Sequence, residues 1–285
     1  MSAKFFVETY NNSLEKNEIR GIFFESGSTP PFLAREFPES FWNKVKFNEK
    51  GNPDCNILTN NVLVYLHLWL EKHIPCGHFP GGEPEGTYGA SYGPIANLFD
   101  KTPRFDDTPL NKHAASAIGQ LKAVPNGLTK SNTSLIVMAA SGLQLGQDNH
   151  NIVVDKEYKL EEDDIASIKK YYGPHVGSYK NMVFKRYLIE TGIPIILMID
   201  ASKIDSPIYP KKCHFVLGNG LTWSDVCENQ PFAILVGCES KKMDELIKNC
   251  HDRLPLFQVT KSLKTDKYSA FILKNELFET EFPEL

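Results

Sequence analysis

The chain has 285 residues, 41% of them hydrophobic and 23% charged, and 31 Lys and Arg against 35 Asp and Glu leave a formal net charge of −4. That composition supports a sizeable buried core and excludes a disordered, collagen-like or low-complexity chain. The acidic balance, with basic residues dispersed, removes the electrostatic basis for non-specific binding to nucleic acid or an anionic membrane. The longest apolar stretch, Asn61 to Leu70 (NVLVYLHLWL), falls well short of the roughly 20 residues a membrane-spanning helix needs. The N-terminal residues MSAKFFVETYNN lack the apolar region of a signal peptide, so a reducing, cytoplasmic setting is expected. The six cysteines show no Cys-x-x-Cys and no regular spacing, and they read as free thiols, neither a disulfide framework nor a zinc ribbon.

No linker or internal repeat divides residues 1–285, which are expected to form a single domain. Along the chain, mixed turns lead to Gly51-Asn52-Pro53-Asp54, then Cys55, and then a helix from Thr59 to His73 whose apolar residues occupy nearly every face. Residues 76–160 open with the glycine-rich CGHFPGGEPEGTYGASYGP and read as an insertion or lid, holding a short helix over Ala114–Leu121 and strands over Ser134–Ala139 and Asn151–Val154. Helices follow over Glu161–Tyr172 and Asn181–Thr191, the second closed by Gly192. The runs IPIILMI (193–199), HFVL (214–217) and FAILV (232–236) are expected to form one antiparallel sheet, followed by a helix over Lys241–Cys250 and a strand over Ser269–Leu273. The resulting expectation is an α+β fold in which a buried N-terminal helix carrying Cys55 packs on that sheet.

A nucleophilic thiol needs its thiolate near neutral pH, and a helix N-terminus favours it through unpaired N–H groups and the helix dipole. Cys55, expected where the buried helix begins, is therefore the candidate nucleophile, with backbone donors close by for an oxyanion. His214 starts the run HFVL at a loop-to-strand junction and is the candidate base for the thiol proton. Both residue types also occur as plain packing or hydrogen-bonded structure, so their proximity decides the matter.

The stretch Phe23 to Leu66, with Phe41-Trp42, Phe47 and Cys55, resembles the N-terminal part of phytochelatin synthases. GIPIILMID followed by CHFVLGNG resembles the histidine region of bacteriocin-processing peptidases. The resemblance implies a papain-like fold in which Cys55 attacks an amide and His214 carries the proton. It also implies Cys-Gly and an upstream Gln for the oxyanion hole, whereas this chain has Asn56 after Cys55 and Glu49 six residues before it, so either a neighbour such as Asn48 or Asn52 supplies the donor or the hole is defective. For the residue that orients the imidazole, Asn219, Gln230 and Glu239 are the candidates. Gln230 is preferred, because a Cys-His-Gln set is similar to that of bacterial effector deamidases.

The expected function is thiol-dependent acyl transfer on a peptide or protein amide, as a peptidase, amidase or deamidase, without a cofactor or a metal. The alternatives are a catalytically inactive papain-like binding protein and, more weakly, an ADP-ribosyltransferase using Arg20, Ser134 and Glu279 with Glu281. His73, Cys76 and His78 could ligate zinc but have no second cluster at the required spacing. Cys76 follows the helix instead of opening it and is the lesser nucleophile. The glycines of 77–93 do not spell a phosphate-binding loop.

Overall fold

A computed structural model describes residues 21–27, 29–37, 42, 56–74, 76–78, 134–146, 172–208, 213–217 and 221–281. In chain order they form β1 (Gly21–Phe24), α1 (Thr29–Glu36), β2 (Asn56–Thr59), α2 (Val62–Leu66) with a π-helical turn over His67–Glu71, β3 (Gly77–His78), β4 (Ser134–Ala139) and β5 (Gly142–Gln144). Then come β6 (Gly173–Val176), α3 (Tyr179–Ile189), β7 (Ile195–Asp200), β8 (His214–Phe215), α4 (Trp223–Asn229), β9 (Phe232–Glu239), α5 (Met243–Arg253), β10 (Gln258–Lys264), β11 (Tyr268–Lys274) and α6 (Glu276–Glu281). The described residues are thus mixed α/β, with six α-helices around a mostly parallel sheet.

Eight strands run in the order β3-β2-β1-β4-β7-β9-β11-β10. Every neighbouring pair from β3 to β9 is parallel, and only β11 and β10 join antiparallel. The expected antiparallel sheet of 193–199, 214–217 and 232–236 is corrected here: β7 and β9 are parallel neighbours, while His214 and Phe215 belong to a separate three-stranded sheet, β5-β6-β8. The reason is visible in the runs themselves. IILMI and FAILV are apolar without alternation, as parallel strands covered on both faces must be, and α4 supplies the crossover that a parallel pair needs.

Alternate residues of these strands feed two cores. Phe23, Ile136, Leu197, Ile234 and Phe271 pack with Phe184 of α3, Trp223 of α4 and Met243 of α5 on one face. Phe24, Val137, Ile196, Leu235 and Ile272 pack with Leu33 of α1, Val64 of α2 and Phe278 of α6 on the other. The result is a three-layer sandwich. Ser134–Ala139, inside the stretch read as an insertion, is β4, paired with both β1 and β7 at the centre of the sheet. The expected elements over 114–121 and 151–154 and the helix body over 161–171 lie outside the described residues.

The helix expected over Thr59–His73 is also corrected. Asn56–Thr59 is strand, and α2 starts only at Val62, where the Asn61 side chain accepts from the backbone N–H of Leu63 and Val64. Nor is this helix buried all round, since Leu63, Leu66, Trp69 and Leu70 are all more than 40% exposed. The expected helix over 181–191 is found as α3, and Gly192 beyond its end has φ +73°, which suits glycine. Among the described residues no helix is long and apolar enough to cross a membrane.

Candidate functional site

In an open parallel sheet a crevice forms beyond the carboxyl ends of the strands where the strand order reverses. Here the chain runs outward from β1 through β2 to β3, then returns to the other side of β1 as β4 and continues to β7 and β9. The reversal therefore lies between β1 and β4. Glu25, Ser26 and Gly27 leave the carboxyl end of β1, and Glu25 N–H donates to Val137 O of β4 at 2.9 Å. Gly27 has φ +136°, and a Cβ there would stand 2.9 Å from the Ala139 Cβ, so both conformation and space demand glycine.

The side chain of Glu25 is fully buried and accepts hydrogen bonds from Lys185 Nζ of α3 and from Ser26 Oγ. Ala139 N–H donates to its Oε2 at 3.4 Å. Lys185 is 1% exposed. Burial pulls its ammonium below the usual lysine range, and the charge and hydrogen bond of Glu25 oppose that pull. Removing two charges from water is costly, so a buried pair at a sheet reversal marks a candidate site more than a stability device.

Beside it, at the carboxyl end of β2, Thr59, Asn60 and Asn61 are all fully buried. Thr59 Oγ1 donates to Phe24 O at 2.6 Å, and Asn61 Nδ2 donates to Gly27 O at 2.8 Å, tying this end of β2 to the end of β1. The loop does not form a phosphate cradle. It carries a carboxylate and one glycine instead of G-x-G-x-x-G, and Pro30 and Pro31 remove two N–H groups from the first turn of α1.

A concavity, a cleft of about 860 Å³, lies at the carboxyl ends of β7 and β9. Asp200 and Ser202 line it opposite Lys242, Glu245 and Asn249, the last two from one face of α5. Among the described residues no group of three or more His, Cys, Asp or Glu side chains could hold a metal ion.

Of the catalytic residues expected from the sequence, Cys55, Asn52 and Asn219 lie outside the described residues, as do Asn48, Glu49 and Arg20. The next residue after Cys55, Asn56, opens β2, and the helix that follows, α2, starts at Val62. His214 is half-buried in β8, and burial pulls its imidazole below the usual histidine range. Gln230 closes α4 at the amino end of β9, where its Nε2 donates to the carbonyl oxygens of Ile193 and Pro231. Glu239 ends β9 at the opposite edge, lines the cleft, and is held below the usual carboxylate range by Lys241 and Lys242. The structure therefore separates Gln230 from Glu239 by the length of a strand.

Ser134 opens β4 and is buried, while Glu279 on α6 accepts from Lys274 at 2.8 Å. Cys76 is pushed up to about 12 by burial, which removes the thiolate a nucleophile requires. Glu25, Asn60 and Lys185 were missed by sequence reasoning. Their signal was short: four apolar residues followed by Glu-Ser-Gly, and an Asn-Asn pair directly after the apolar run NILT.

The class defined by this architecture is a three-layer α/β protein with a strand-order reversal at the centre of its parallel sheet. No family model matches the chain, and no curated protein matches it in sequence. Among solved structures it is similar to ribose 5-phosphate isomerase from Plasmodium falciparum, with 11% identity and a TM-score of 0.30 over 95% of this chain and 78% of that one.

Proposed function

We propose that the protein binds a small polar ligand in the crevice between the carboxyl ends of β1 and β4. The observation that supports this reading is the reversal of strand order at that point, where open parallel sheets place their ligands, combined here with buried polar groups. The ligand is not led by a phosphate, because the β1 loop and the α1 terminus lack the glycines and N–H groups that a phosphate requires. Hydrogen–deuterium exchange on the full chain with ligands from a polar small-molecule screen tests this. Protection is expected in peptides covering 21–29, 57–64 and 134–141. Protection confined to 240–250 and 268–270 places the ligand in the cleft of β7 and β9 and overturns the reading.

A second reading is thiol-dependent acyl transfer by a papain-like Cys55 and His214 pair. Its supporting observation is His214: a half-buried imidazole pulled below the ordinary histidine range is neutral at pH 7 and able to accept a proton. Iodoacetamide labelling near pH 6, compared between wild type and His214→Ala, tests it. Selective labelling of Cys55 that disappears in the variant is expected, and an inert Cys55 in the folded protein removes the reading.

A further inference from the structure

We propose that the outer face of α2 and its π turn is a two-fold interface at which a second copy of this chain docks with its own α2 antiparallel. Phe32 of α1 and Leu63, Leu66, Trp69 and Leu70 are each 41–61% exposed, and α1 packs against both α2 and the π turn. On the inner side, Val64 and Leu68 are fully buried in the core. The π turn sharpens this division. Its wider winding brings successive residues closer to one face, so His67 and Leu68 are buried together while Trp69 and Leu70 stay out together. Apolar residues scattered singly over a surface are ordinary, but Leu63, Leu66 and Leu70 follow the i, i+3, i+7 spacing of a continuous stripe on one helix face.

Three features favour a second copy as the partner. The first is charge: from Asn56 to Leu70 the chain has no Asp, Glu, Lys or Arg, and Glu71 and Lys72 then supply one charge of each sign. Such a face gives an acidic partner, a basic partner or an anionic membrane nothing to pair with, whereas two copies meet on it without like-charge repulsion. The second is direction. A stripe at 63, 66 and 70 reads nearly the same both ways, so an antiparallel copy sets Leu63 against the partner's Leu70 and Leu66 against the partner's Leu66, as a self-complementary two-fold contact requires. The third is area. The five exposed side chains leave about 500 Å² of apolar surface in water, high for a monomer, and a second copy doubles it to about 1,000 Å², the least that a specific interface needs. Association costs little ordering, because Asn61 already caps α2 in the single chain.

Sedimentation equilibrium on the full chain at micromolar concentration tests this. The expected mass is twice the 32.2 kDa of one chain. Leu66→Glu sets two carboxylates against each other at the axis and is expected to raise the dissociation constant about thirty-fold or more, with an unchanged far-ultraviolet circular dichroism spectrum. Leu63→Lys alone is expected to weaken the dimer, and Leu63→Lys combined with Leu70→Glu to recover much of it, since positions 63 and 70 of the two copies are opposed. A monomeric wild type overturns the proposal, and co-sedimentation of that monomer with neutral or anionic vesicles would assign the face to a membrane instead. A dimer that survives Leu66→Glu lies on another surface and overturns it as well. A combined variant no tighter than Leu63→Lys overturns the antiparallel arrangement and the proposal with it.

Discussion

Glu25 and Lys185 meet across 160 residues of sequence, and each makes the other tolerable in the interior. Breaking a buried pair leaves an uncompensated charge, whereas replacing both partners with apolar groups does not. Lys185→Met is therefore expected to destabilise the fold by about 3–5 kcal/mol, and Glu25→Leu combined with Lys185→Met by clearly less. Urea denaturation of the two variants measures both values, and a double variant as unstable as the single one would contradict the account. His175 is a second buried titratable group. Its ring stacks at a tilt on Phe215 with centroids 5.4 Å apart and lies so close to Gly142 that a Cβ there would come within 2.2 Å of Nε2. Burial lowers its pKa from 6.5 to about 4. As pH falls below 6.5 the unfolded chain takes up the proton first, so stability is full above that pH and is lost progressively down to pH 4. The loss at pH 4 amounts to about 3 kcal/mol. His175→Gln is expected to flatten this part of the stability profile, followed by urea midpoints across pH 4–7.

At the scale of elements, the longer strands of the central sheet were legible because burial on both faces writes itself as an unbroken apolar run, whereas the short β1, β2 and β3 were not. Ser134–Ala139, the run at 193–199 and the run at 232–236 all appear as strands at or near their expected bounds. Their pairing was not legible, since adjacency in sequence says nothing about whether a crossover intervenes. β10, α4 and α6 escaped notice because they are short, polar or both, and tertiary contacts stabilise them. Asn275 shows how. Its Oδ1 accepts from Phe232 N–H at 3.0 Å and Phe278 N–H at 2.9 Å, and its Nδ2 donates to Gln230 O at 2.7 Å, joining the starts of β9 and α6 to the end of α4. Removing an amide that satisfies three buried backbone groups is expected to cost about 3 kcal/mol. Denaturant titration of Asn275→Ala checks this, and a loss below about 1 kcal/mol would place the stability of α6 elsewhere.

Across the whole molecule, the two cores hold most of the thiols away from solvent. Burial pushes Cys213 and Cys250 up to about 12 and Cys227 to about 11, and it raises Cys238 as well. With Cys76 these five are free cysteines whose thiolate fraction near neutral pH is negligible. Ellman's reagent at pH 7.5 is expected to leave the buried Cys213, Cys238 and Cys250 unreacted in the folded protein and to label them on unfolding, as peptide mapping would show. Rapid labelling of any of these three in the native state would contradict their burial.

The amino-acid sequence by itself determined that this chain folds around a large core, that 134–139, 193–199 and 232–236 are strands, and that α3 ends before Gly192, because hydrophobic runs, periodicity and glycine conformation are local properties. It also showed that cysteine, histidine and amide side chains were available for chemistry. Only the tertiary structure decided which of them share a place. Gln230 and Glu239, nine positions apart, fall at opposite ends of β9. Glu25, Asn60 and Lys185, scattered over 160 positions, gather at the ends of β1 and β2, because strand order is fixed by which crossovers bury the most apolar surface on each face of the sheet.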